Sequence, residues 1–170
     1  MGTQRMDFAE FYREAKDDCL RTVLVSVGDR DTAQELVAEA FARAWASWRT
    51  VSGHPAPRAW VVRTALNASV SRWRRRRREV SLADPGAVAD RPVFDGAADG
   101  PVDATIMAAL LRLPARQREV VALRLFLDLD TARTAEVLGI APGTVKAHLT
   151  RATAALREEL APAREQENRA

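Results

Sequence analysis

Apolar residues recur at helical spacing along most of this chain, and the alternation a strand needs is nearly absent, so the pattern predicts an all-α protein. Phe8, Phe11, Ala15 and Cys19 form one stripe, which predicts a first helix from about Asp7 to Val27, stopped by Gly28. A second helix is expected to begin at Asp31, a good cap, and to carry Val37, Phe41, Ala44 and Trp48 inward with Leu36, Ala40 and Trp45 beside them. Its outer row, Glu35, Glu39 and Arg43, repeats at i, i+4 and i+8 and suits a solvated face as well as a partner surface. Thr50 to Pro57 reads as a short loop, and Arg58 to Arg78 as a third long helix. Ala59, Val62, Leu66, Ser69 and Trp73 mark its packing side, while Arg63, Asn67, Ser71, Arg74 and Arg78 run down the other. Trp73 has the flat ring that stacks on an unpaired base, but its phase with Val62 and Leu66 favours core packing.

The periodicity then stops. Val80 to Val102 holds three prolines and three glycines among small residues and reads as a linker; its 23 residues extend to at most roughly 80 Å. Beyond it, Ile106, Leu110 and Leu113 form a short stripe ended by Pro114, and Ala115 to Leu127 is the next helix, with Val120, Leu123 and Leu127 inward. Leu129 to Arg151 has the outline of a helix-turn-helix. Ala132, Ala135 and Leu138 share a face, Gly139 supplies the turn, Ile140 anchors inward, and Val145, Leu149, Ala152 and Leu156 form the stripe of the second helix. Gly143, Thr144, Lys146, Ala147, Thr150 and Arg151 are left facing out, where such a helix meets the major groove. Ala161 to Ala170 is polar and expected to fray. The architecture expected is two small helical domains, residues 1–79 and 103–170, joined by a flexible linker over 80–102, the second containing the helix-turn-helix.

Charge sharpens this picture at one place. The net +3 conceals +5 over residues 1–79, and much of that excess sits in the heptad Arg72 to Arg78, where an anionic partner is to be sought. Arg, Asn and Ser on the outer face of that helix are the residue types that contact phosphates and base edges. Cys19, the single cysteine, excludes an internal disulfide and reads as a buried small hydrophobe. His54 falls in a loop and His148 in the second helix of the helix-turn-helix, without the carboxylate or cysteine spacing of a metal site or a nucleophile; no enzyme, metal or cofactor is expected. Neither a signal-like apolar run nor a bilayer-length stretch is present, so no membrane insertion is expected, and a reducing cytoplasm is the natural compartment.

Four tracts, taken in order, carry a family resemblance: GDRDTAQELVAEAFARAW (Gly28 to Trp45), PRAWVVRTALNASVSRWRRRRR (Pro57 to Arg78), LRLPARQREVVALRLFLDL (Leu111 to Leu129) and AEVLGIAPGTVKAHLTRA (Ala135 to Ala152). Together they resemble bacterial RNA polymerase sigma factors of the extracytoplasmic-function type. The resemblance implies a first domain that binds the polymerase clamp and melts the minus-ten promoter element, and a second that binds the flap and the minus-thirty-five element. Carried over by position, Glu35, Leu36, Glu39 and Arg43 would face core polymerase. His54, Arg58, Arg63, Asn67, Ser71, Arg72, Arg74 and Arg75 would take the melted strand, and Gly143, Thr144, Lys146, Ala147, Thr150 and Arg151 the upstream element. An anti-sigma protein is a usual partner in the resembled family. Thr32, Gln34 and Ala38 depart from its acidic or amide residues, Thr131 and Thr134 from an aromatic and an aliphatic one, and Ala141 from a Ser-like cap. The alternative is a LuxR-type regulator, whose reader helix GTVKAHL also resembles; such proteins usually bring a sensor or receiver domain instead of an arginine-ended helix. A nucleic-acid binder without sequence preference, using Arg72 to Arg78 alone, is a third class.

Overall fold

The computed structural model describes residues 7–83 and 103–167. Helices α1 (Phe8–Val27), α2 (Arg30–Ala46), α3 (Trp48–Val51) and α4 (Pro57–Ala83) precede the undescribed interval, and α5 (Ala104–Arg112), α6 (Ala115–Phe126), α7 (Thr131–Leu138) and α8 (Pro142–Glu167) follow it. No strand occurs among the described residues.

Local chemistry fixes the ends of these helices. Asp7 caps α1 by accepting from the Ala9 amide at 3.0 Å, and Gly28 closes it with φ 78°, its N–H donating to the Leu24 carbonyl at 2.8 Å. The cap of α2 is Asp29, not Asp31: its backbone is extended, and its carboxylate accepts from the Thr32 amide at 2.7 Å. Hydrogen bonds from Thr32 hold that carboxyl below its ordinary range. Part of the expected loop is one helical turn, α3, which buries Val51. Asp103 and Asp130 cap α5 and α7 in the same manner as Asp29.

Several expected positions differ. Helix α4 does not stop near Arg78 but continues through Val80–Ala83; residues 84–102 lie outside the described residues. Helix α8 likewise runs on to Glu167, past the point where fraying is expected. In α5 the buried residues are Met107, Ala109 and Leu110, while Ile106 is exposed. In α7, Ala132 is exposed and Thr134 takes the inward place beside Ala135 and Leu138, its hydroxyl donating to the Asp130 carbonyl at 2.8 Å. That bond satisfies a hydroxyl which burial would otherwise penalise, so the departure at Thr134 is accommodated.

The buried side chains before and after the linker belong to one continuous cluster. Helix α1 lies at its centre, packed on α2 and α4 and also on α6, while α7 touches α4. Glu119 of α6 is largely buried beside Arg116, 2.9 Å away, and burial holds its carboxyl above the ordinary value of 4.5. The folded chain therefore binds this proton more readily than the unfolded chain. That contribution is complete below 4.5 and is lost as pH rises through the elevated value. Glu119→Gln should match the parent's melting temperature near pH 4 and exceed it near pH 8, as followed by circular dichroism; a constant offset at both pH values would refute this.

Candidate nucleic-acid interface

Three surfaces carry the chemistry, and α4 carries the first. Ala59, Val62 and Leu66 are buried, Ser69 is half-buried, and Arg63, Asn67, Ser71, Arg74 and Arg75 are exposed along the opposite side. Trp73 is the correction: it is 50% exposed, with the Arg77 guanidinium 5.0 Å from its ring centroid. Its phase is inward, but every side chain from Trp73 to Glu79 is exposed. Arg76 and Arg77 therefore join the basic surface beside Arg78 and the other residues expected, and the arginine run itself is the signal for them.

Two of the expected strand-binding arginines already have carboxylate partners. Arg58 donates to Asp18 at 3.1 Å. Arg72 forks between Glu35 and Glu39 of α2, 3.0 Å from each, and Glu39 also accepts from Arg43 at 2.6 Å. The charged row of α2 is thus a four-residue network tied to α4, and Arg72 is the point where it is tied. Leu36, expected to face a partner, is fully buried; one residue of helix turns it about 100° from Glu35 into the core. His54 stands exposed at the loop before α4, where its Nδ1 accepts from the Ala56 amide at 3.0 Å.

The third surface is the start of α8. Gly143, Thr144, Lys146, Thr150 and Arg151 are exposed and Ala147 half-buried, while Val145 and Ala152 are buried and Leu149 and Leu156 pack against the core. Gly139 makes the turn with φ 65°. An added Cβ there would meet nothing within 4 Å, so the requirement for glycine is conformational rather than steric. Among the described residues no group of His, Cys, Asp and Glu could hold a metal, and no helix is long and apolar enough to cross a membrane.

Residues 11–79 match the family model for Sigma-70 region 2, and residues 103–156 that for Sigma-70, region 4. The RNA polymerase sigma-E factor of Streptomyces coelicolor is 34% identical over 155 residues, covering 91% of this chain and 86% of that protein. The chain belongs to the extracytoplasmic-function RNA polymerase sigma factors. Similar proteins include the ECF RNA polymerase sigma factor SigW of Bacillus subtilis, 28% identical over 90% of this sigma factor and 88% of that one. SigL of Mycobacterium tuberculosis is 33% identical over 81% of this chain and 79% of its own length. Among solved structures, the sigma factor RpoE of Bartonella quintana, determined in complex with the anti-sigma factor NepR, aligns with TM-score 0.76 and 26% identity over 91% of this sigma factor and 96% of that chain. The match to Sigma-70 region 2 over residues 11–79 does not favour the LuxR alternative. As a sigma factor the chain binds core RNA polymerase and promoter DNA and directs transcription initiation.

Proposed function

We propose a division of labour among the three surfaces. The acidic row of α2, Glu35 and Glu39 with Arg43, meets the polymerase clamp. The loop at His54 and the exposed side of α4, through Arg63, Asn67, Ser71, Arg74 and Arg75, takes the melted strand at the minus-ten element. Thr144, Lys146, Ala147, Thr150 and Arg151, with Gly143 allowing close approach, read the minus-thirty-five element. One observation carries the reading: beyond Arg72, α4 presents five consecutive exposed arginines, Arg74 to Arg78, flanked by an exposed tryptophan. A positive groove with a stacking ring is what a single strand requires. The protein acts in the cytoplasm, where the polymerase is found, and an anti-sigma factor is its regulatory partner by analogy with the Bartonella complex.

Run-off transcription with core polymerase on promoter fragments tests the whole reading, since neither component alone should select start sites. The two DNA contacts separate by their chemistry. Replacing Arg75 to Arg77 with Gln should lower occupancy on every promoter and flatten its salt dependence, by about 0.9 in log-log slope per lost duplex contact or about 0.7 per lost single-strand contact. Lys146→Ala and Arg151→Ala should instead remove roughly 1–3 kcal/mol of discrimination at particular upstream base pairs. Transcription from a library randomised over the upstream element, with each variant, distinguishes these; a uniform loss from the α8 variants would move base reading to other residues.

A further inference from the structure

His148 holds the one buried side-chain nitrogen or oxygen without a hydrogen-bond partner among the described residues. It stands half-buried in α8 with its Nδ1 covered, while the other ring nitrogen, Nε2, reaches solvent and is not bonded within the protein. Its place on the helix explains the split. Successive residues turn by about 100°, which sets His148 about 60° around α8 from buried Val145, on the side where Thr144 and Arg151 follow at about 100° and about 120°. Thr144 and Arg151 are exposed, whereas Ala152, next to Val145 on the inward stripe, is buried. The imidazole thus straddles the rim of α8, with its root toward the core and its tip beside the outward face.

A covered nitrogen without a partner destabilises a fold, because it has given up water and gained nothing in return. Leucine at this position would carry no polar atom and would join Leu149 and Leu156, which already pack against the core. Helix propensity favours leucine as well. Neither packing nor local preference accounts for histidine here, and a breach of this kind points to contact with something outside the fold. Nδ1 has no acceptor beside it, so the neutral ring places its proton on Nε2, at the surface. A single N–H at the rim of a helix lying in the major groove meets the sugar–phosphate wall of the groove, not the base edges on its floor.

We propose, resting on the functional reading above for the placement of α8 in the groove, that His148 is a backbone contact of the minus-thirty-five element. Its Nε2–H donates to one phosphate oxygen on the groove wall beside Arg151. This contact differs in kind from those of Lys146 and Arg151. A neutral donor fixes the register of the helix against the backbone without bringing a charge, so it displaces no condensed counterion and leaves the salt dependence of binding unchanged. It strengthens binding on every promoter alike, because a phosphate carries no sequence information.

Binding of the holoenzyme to promoter fragments at about pH 8, where an ordinary imidazole is neutral, tests the contact. His148→Leu removes the unsatisfied atom, so it should raise the melting temperature of the free chain and yet weaken promoter binding about tenfold, with an unchanged salt slope. His148→Gln, whose amide nitrogen reaches the place of Nε2, should bind as wild type does. Uncharged methylphosphonates, substituted one at a time for the phosphates around the minus-thirty-five element, should reveal one position at which the difference between wild type and His148→Leu collapses. Full affinity in His148→Leu would overturn the proposal, as would a deficit that persists with every methylphosphonate. Should His148→Leu lose its thermal transition, His148→Asn, whose amide stops at the depth of Nδ1, takes its place, and equal binding by the Asn and Gln variants would overturn it too. Lys146→Ala and Arg151→Ala tell the two failures apart. If neither alters dependence on the upstream element, the placement of α8 in the groove is wrong; if they do and His148→Leu does not, only the histidine contact is.

Discussion

Replacing Leu123 with Ala is expected to abolish transcription that depends on the upstream element at 37 °C while leaving the helices of region 2 folded. Leu123 is fully buried in α6, at the centre of a small helical module, and the methyls removed leave a cavity. Leu-to-Ala changes at such sites cost roughly 2–5 kcal/mol. A module of this size has only about 3–10 kcal/mol in total, at about 0.05–0.15 kcal/mol per residue, so the loss is comparable with the whole. Because α6 packs on α1 and its Arg118 donates to the Ser26 carbonyl, amides at that end of α1 should lose hydrogen-exchange protection in the same variant. A single thermal transition displaced by less than about 1 kcal/mol would show that the site collapses around the smaller side chain, or that the two halves melt as one unit.

Charge reversal at Glu35 and Glu39 is expected to weaken core polymerase binding at least tenfold, about 1.4 kcal/mol. The double Lys variant places two cations opposite Arg72, whose guanidinium now lies 3.0 Å from both carboxylates. It therefore removes the acidic face and also repels the base of the arginine-rich helix. Arg72→Met separates the two effects. If the carboxylates contact polymerase, this variant keeps most of its core affinity; if they serve only to anchor Arg72, it reproduces the reversal. Affinity titration of both variants against core polymerase, with circular dichroism to confirm helicity, discriminates between the outcomes.

The long helices, the turn at Gly139 and the inward stripe of α8 are legible because each follows from local spacing, whereas the single turn of α3 reaches into what reads as a loop. What spacing does not contain is whether a neighbour covers the position. Trp73 has the phase of Leu66, yet its ring is left in solvent under Arg77. Periodicity places Leu36 beside the inward residues, where it is fully buried; only the family resemblance sets it with Glu35 and Glu39 at the polymerase. Asp29 and Asp31 are chemically identical caps, and only the extended backbone at Asp29 and its bond to Thr32 choose between them. Ion pairing escaped the reading for another reason. The partner of Arg58 is 40 residues away at Asp18, and those of Arg72 are on a different helix, so a count of arginines overstates the positive charge left for DNA. Arg118 escaped because the carbonyls it caps belong to other helices, one of them across the linker.

The one thiol in the chain is chemically silent in the native state. Cys19 has no exposed surface, and burial pushes its pKa up to about 12. At pH 8 about one molecule in ten thousand would carry the reactive thiolate, and that one would be sealed beneath α4. Alkylation of the unmodified protein thus acts as a clock that runs only when region 2 comes apart. Cysteines introduced at the surface of either half can accept dyes or spin labels with the native residue left in place.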